Sequence, residues 1–220
     1  YTAATPIDDS PLTNEELSNF GYSFQPTNWN GVYDGLITPR EAIMYSKNIT
    51  SLKVVYNLGL STALEYGKKS GLIYNSESSK SIATLALGEF NNDPSDRDGG
   101  NTTILASAYG SFGNKGIRTE AILYTKVIDS TGKVILDKTA DTTKLFSEET
   151  AYIMYDILKG PVTGFDAGGA KFGDIPVAGK SGTTDNSDSF WFSGLTPYYS
   201  ASVWIGYDMP TKLNGYSSSA

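Results

Sequence analysis

The sequence predicts an α/β protein in which helices flank an antiparallel sheet, and three observations carry that class. Two segments open like capped helices, Thr38-Pro39-Arg40-Glu41 and Ser147-Glu148-Glu149. Between them, Ile122–Ile128 and Val134–Leu136 flank a Ser-Thr-Gly turn, the pattern of a β-hairpin. After Pro176, three β-branched or aromatic runs (Pro176–Lys180, Phe190–Leu195 and Ala201–Tyr207) are joined by turn residues and read as a meander. Hairpin and meander are expected to contribute to one sheet.

Taken in order, Tyr1–Asn30 carries three prolines among Asp, Ser and Asn without a stable period, which reads as a long loop or extended lead-in. The Thr38 cap, with proline at the first helical position, starts a short helix to about Tyr45. Ser46-Lys47-Asn48 breaks it, and a second helix is expected from Thr50 or Ser51 with Leu52, Val55, Tyr56 and Leu58 on one face. Ser61–Lys69 looks helical up to Gly71, and Thr102–Phe112 is helical up to Gly113 and Gly116. The Ser147 helix runs through Ile153, Ile157 and Leu158 and is expected to stop at Gly160-Pro161.

Composition narrows the chemistry. The 220 residues suit one domain with a sizeable core, at 39% hydrophobic residues. Histidine and cysteine are both zero, which removes Ser-His-Asp and Cys-His nucleophile systems, imidazole or thiolate metal sites and disulfides; neither a cofactor nor a metal is expected. Covalent chemistry is left to hydroxyl, amine and carboxylate groups. A net charge of −7 opposes a phosphate backbone, so nucleic acid is not an expected partner. No apolar stretch approaches the roughly 18 residues needed to span a bilayer.

The most informative segment is Val177-Ala178-Gly179-Lys180-Ser181-Gly182-Thr183-Thr184. An apolar strand here ends in a cation, hydroxyls and a glycine without a side chain on its edge. Such an edge can pair with an extended substrate, while the hydroxyls and Lys180 hold a carboxylate. Lys-Ser-Gly is one of three signatures of penicillin-recognising serine enzymes, after Ser-x-x-Lys and Ser-x-Asn, and Ser46-Lys47-Asn48 fits the second in type, order and placement between helices.

Further segments agree in order and spacing: Ala4 to Pro11, Asn28-Trp29-Asn30, Ile37 to Ala42, Asp188 to Gly194 with Thr196-Pro197, and Val203 to Asp208. Together they resemble the transpeptidase domain of class A, bifunctional penicillin-binding proteins over nearly the whole chain, which implies the fold shared with serine β-lactamases. The resemblance implies acyl transfer from the D-Ala-D-Ala end of a peptidoglycan stem peptide, with β-lactams trapped on the same serine. Ser46 would relay a proton to the leaving nitrogen, Asn48 would donate to the substrate's acyl side chain, and Lys180 would raise the local potential. Ser181, Gly182, Thr183 and Thr184 would line the carboxylate subsite and substrate edge, with the Thr183 backbone N–H as an oxyanion donor. The implied partners are stem peptides, lipid-linked precursor polymer and β-lactams, at the extracytoplasmic face of a bacterial membrane, in a protein that also carries an upstream glycosyltransferase and anchor.

One signature departs from the pattern. The family needs Ser-x-x-Lys on a helix, yet the single match in the chain, Ser130-Thr131-Gly132-Lys133, lies in the expected hairpin turn and after Ser-x-Asn. The nucleophile is therefore expected on an upstream fragment of the same protein, with residues 1–220 forming a transpeptidase domain that lacks that helix and its last helix. A serine β-lactamase is disfavoured because Glu15-Glu16-Leu17-Ser18-Asn19 has the wrong pattern and precedes Ser46. A β-lactam sensor or an inert wall-binding module of the same fold remain rivals. Asp93, Asp96 and Asp98 lack the offsets of an EF-hand and read as a solvated loop.

Overall fold

The computed structural model describes residues 1–90 and 95–215. The expected lead-in is more ordered than its prolines suggest. Strand β1 (Ile7–Asp9) pairs antiparallel with β2 (Gly35–Ile37), and α1 (Asn14–Phe20) lies between them. A capping box explains α1: the Thr13 hydroxyl accepts from the Glu16 amide while Glu16 accepts from the Thr13 amide at 2.8 Å. Gly21, left-handed at φ 75°, closes the helix.

Helix α2 (Pro39–Met44) starts on the expected Thr38–Glu41 box. Helix α3 (Asn48–Leu58) begins two residues earlier than the hydrophobic pattern indicates, because the Asn28 side-chain oxygen accepts from the Asn48 and Ile49 amides and so supplies the cap from elsewhere in the chain. Helices α4 (Leu60–Lys69) and α5 (Ile82–Leu87) complete this half, where Leu12, Phe20, Ile49, Leu52 and Ile82 form one core.

The second half is organised by α6 (Thr102–Gly113) and α7 (Glu148–Gly164). Against expectation, α7 continues through Gly160-Pro161. Pro161 lacks an N–H, but it and Val162 are buried, and Gly160 and Gly164 let the helix lie against Met44; that tertiary packing outweighs the local break. Strand β3 (Ile117–Thr119), which the sequence reading did not mark, pairs with β6 (Thr142–Lys144). Gly116 opens this turn at φ 79°, and a Cβ there would lie 2.2 Å from the Phe146 carbonyl oxygen.

The hairpin forms over β4 (Lys126–Ile128) and β5 (Val134–Asp137), shorter than expected and as a sheet of its own. Its strands are exposed throughout, so nothing draws them onto the main sheet. The main sheet is the expected meander, in order β7 (Ala178–Thr183), β8 (Ser189–Leu195) and β9 (Ser200–Gly206). Ala178 and Leu195 meet Leu158 of α7 in a second core that gathers Ile43, Tyr109, Phe112 and Met154. Among the described residues, no helix is long and apolar enough to cross a membrane.

Candidate active site

The Lys-Ser-Gly segment forms half of β7 and does not end it: Ala178 pairs with Leu195 at one end and Thr183 with Phe190 at the other, with Gly182 opposite Trp191. In this sheet β7 pairs on one side with β8, and among the described residues no strand pairs with its other edge beside Lys180–Thr183. A bare Gly182 on that edge suits a second extended chain. Gly179 and Gly194 keep the sheet bare where Phe192 lies across it; a Cβ on Gly179 would come within 2.5 Å of that ring.

Lys180 is held within the strand. Its Nζ donates to the Ser181 carbonyl at 3.1 Å and to Ser181 Oγ at 3.3 Å. Burial pulls the ammonium below its ordinary value and the negative charge of Asp166 partly restores it, so Lys180 is a poorly hydrated cation with spare donor capacity. Ser181 Oγ in turn donates to Asp166 Oδ2, and Asp166 Oδ1 is buried with no hydrogen-bond partner. Thr183 is exposed at the strand end. Thr184 ties the turn: its hydroxyl donates to Asp188 at 2.6 Å and accepts from the Asp188 and Ser189 amides.

The Ser46-Lys47-Asn48 turn is locked from beneath. Ser46 adopts a left-handed φ of 55°, uncommon for a residue with a Cβ. Lys47, 1% exposed, points inward to Asp34 at 2.5 Å, the Val32 carbonyl at 3.1 Å and Asp9 at 3.4 Å. Asp9 is fully buried and also accepts from Asn28 and from the Asp34 amide. Burial alone lowers the Lys47 ammonium, but the Asp34 bond and the charges of Asp9 and Asp34 more than offset it and hold it above its ordinary value. Asn48 donates one side-chain N–H to the Thr27 carbonyl at 3.0 Å, which orients the amide.

Turn and strand are joined through Trp29, which the sequence reading named within the resemblance, and through Tyr45, Phe165 and Asp166, to which it gave no role. Trp29 Nε1 donates to the Tyr45 carbonyl at 3.0 Å, and both Trp29 and Tyr45 pack on Phe165, at 6.0 and 5.4 Å between ring centroids. Phe165 precedes Asp166, which binds Ser181. Asn28 had appeared within the Asn28-Trp29-Asn30 resemblance without a role; Asp166 carried no motif signal, since its partner lies 15 positions away.

The remaining candidates fall outside this constellation. Ser130 lies in the β4–β5 turn as expected, where Asp129 accepts from the Thr131 and Lys133 amides and Gly132 has φ 85°. Asp93 lies outside the described residues, and among those described no acidic group of metal-binding size occurs. A cavity of about 270 Å³ opens at the β8–β9 turn, the end of the sheet away from Thr183, and contains none of the motif residues.

The penicillin binding protein transpeptidase domain family matches residues 1–220. The chain belongs to this family. Relatives include penicillin-binding protein 1A of Clostridium perfringens strain 13, 53% identical over 212 residues, covering 96% of this chain and 31% of the relative. Penicillin-binding protein 1A of Clostridium botulinum strain Langeland is 45% identical over 223 residues, covering 100% of this chain and 26% of the relative. The chain therefore spans between a quarter and a third of these relatives. Among solved structures, penicillin-binding protein 1A from Haemophilus influenzae superimposes with a TM-score of 0.74 at 19% identity, covering 99% of this chain and 37% of that one. The imipenem acyl-enzyme complex of penicillin-binding protein A from M. tuberculosis gives 0.75 at 15% identity, covering 96% and 52%. At those identities the likeness establishes the penicillin-binding transpeptidase fold, the class the sequence predicted.

Proposed function

We propose that this chain carries the second and third motifs of a serine-type peptidoglycan D,D-transpeptidase. The observation that carries the reading is an open sheet edge, Lys180–Thr183, beside a desolvated lysine, tied through Phe165 and Asp166 to a rigid Ser46–Asn48 turn. An extended D-Ala-D-Ala end would pair with this edge. Its terminal carboxylate would meet Lys180, Ser181 and the Thr183 hydroxyl, and its scissile carbonyl would meet the Thr183 N–H. The serine nucleophile would come from a Ser-x-x-Lys segment upstream in the same protein; its hydroxyl oxygen attacks the carbonyl, the C–N bond to D-alanine breaks, and Ser46 passes a proton to the leaving nitrogen. The amine of a second stem peptide then takes the acyl group from the serine, forming the cross-link and freeing the enzyme.

The relatives' shared name, penicillin-binding protein 1A, supports β-lactams as ligands of the same site. It also supports the proposal of a longer protein on the extracytoplasmic side of a bacterial membrane, with the anchor and glycosyltransferase outside this chain and lipid-linked precursor polymer as a further partner. The test is intact mass of the full-length protein before and after benzylpenicillin, with peptide mapping. A penicilloyl adduct on a serine outside residues 1–220 is expected. An adduct on Ser130 would overturn the assignment of the nucleophile, and no adduct would overturn the transpeptidase reading.

A further inference from the structure

We propose that Asp166 is a specificity-determining residue of the Lys180–Ser181 subsite: its carboxylate holds the Ser181 hydroxyl proton when the subsite is free and competes with the ligand carboxylate for it. This deepens the transpeptidase reading and rests on it. A serine hydroxyl has one proton and donates to one acceptor at a time. Here Lys180 Nζ donates to Ser181 Oγ and Ser181 Oγ donates to Asp166 Oδ2, so the donor that a substrate carboxylate would use is already committed. Asp166 is also the charge acting on Lys180, the subsite's cation.

An incoming carboxylate must therefore break the Ser181–Asp166 bond, form its own bond to the same proton, and approach a resident negative charge. Asp166 keeps a second oxygen that is buried and unpartnered, and its charge acts on Lys180. The exchange is reversible and moves no covalent bond. Its consequence is directional: D-alanine, the leaving product, carries the carboxylate away, and Asp166 recovers the hydroxyl proton as it goes. The resident carboxylate thus lowers the affinity for a free carboxylate and favours product release.

The experiment titrates the full-length protein and its Asp166→Asn variant with N-acetyl-D-alanine and with N-acetyl-D-alanine amide, reading binding from NMR shifts. Asparagine keeps the shape and accepts from Ser181 while removing the charge. The free acid is expected to bind about five- to tenfold more tightly to the variant, the size of one like-charge contact at about 4 Å screened as in water, while the amide changes little. Equal or weaker acid binding, or an equal gain for the amide, would overturn the proposal. Asp166→Ser, also neutral and able to accept from Ser181, decides the same question if the asparagine variant does not fold. Benzylpenicillin labelling separates the two readings: a protein that is not acylated but shows the acid-selective gain refutes the transpeptidase assignment and keeps the subsite, whereas an acylated protein without the gain does the reverse.

Discussion

Around Lys47 the buried polar groups are matched several times over: the ammonium meets Asp34, Asp9 and the Val32 carbonyl, and Asp9 also receives Asn28 and the Asp34 amide. At Lys180 the accounting runs the other way. Among the described residues that ammonium donates to the neighbouring serine's oxygens alone, its charge is penalised by burial, and the nearby Asp166 keeps one carboxylate oxygen unpartnered. Both lysines follow or join a motif serine, and both are drawn from water. The difference separates two tasks. Satisfied charges fix geometry, here a left-handed Ser46 that an unsupported backbone would seldom hold, while the less satisfied charge on the strand edge is the one the proposed function assigns to a ligand.

The sharpest way to break this comparison is to exchange the roles by mutation. Lys180→Ala should abolish labelling of the full-length protein by benzylpenicillin, a loss of about 10²-fold or more, since a charge aimed at developing negative charge is removed. The fold should survive, with a thermal midpoint within a few degrees of the parent, because among the described residues the Lys180 hydrogen bonds stay within its own strand. Unchanged labelling would remove Lys180 from the subsite.

Lys47→Met should behave in the opposite sense. It strands Asp9, which is fully buried, and is expected to lower unfolding free energy by about 3 kcal/mol, read by urea denaturation. The pH dependence follows from the sign of the shift. Lys47 is held above its ordinary value in the fold, so its contribution is complete below that ordinary value, near 10.5, and is lost as pH rises through the raised folded value. The parent's stability should therefore fall at strongly alkaline pH, and the methionine variant should lack that component.

Lys180 offers the functional counterpart. Its ammonium is lowered by burial, so the alkaline limb of acylation should begin below the ordinary lysine value of 10.5. Lys180→Arg, which stays charged, should retain measurable labelling and lose that limb. A limb unchanged in the arginine variant would assign it to another group.

Legibility in the sequence divides along the same line as the two lysines. The strand motif was readable because its chemistry is local: Lys180, Ser181, Gly182 and Thr183 stand side by side in one strand, and the meander that carries them shows in short apolar runs. The capped start of α2 was readable for the same reason. What escaped depends on partners distant in the chain. The early start of α3 rests on Asn28, 20 positions before Asn48. The continuation of α7 through Pro161 rests on the fit of Gly160 and Gly164 to Met44. Asp166 reaches Ser181 only because α7 runs past the proline that was expected to stop it. The separate hairpin is a different case: both strands were expected, the first of them longer than it is, but short apolar runs say that strands exist and not which sheet they join.

The smallest expected effect lies between the two regions, where Arg40 of α2 meets Asp156 of α7 at 2.6 Å, with Lys159 also 2.6 Å from Asp156. These side chains are 44% and 33% exposed at the Arg40–Asp156 contact, so solvent and salt screen the pair, and Arg40→Ala is expected to cost less than about 1 kcal/mol. The bond to Lys159, then the bond to Arg40, hold the Asp156 carboxyl below its ordinary value of 3.8. A lowered carboxyl contributes stability above that value and loses it as pH falls, so the difference between parent and variant should shrink in acid and also in about 1 M salt. The contact lies between the helix that leads into Ser46 and the helix that leads into Asp166. If aromatic packing of Trp29 and Tyr45 on Phe165 is what couples turn to strand, Arg40→Ala should leave benzylpenicillin labelling within about twofold, whereas Phe165→Ala should reduce it more than its loss of stability explains at a temperature where both variants are folded. Equal losses in the two variants would transfer the coupling from the rings to the ion pair.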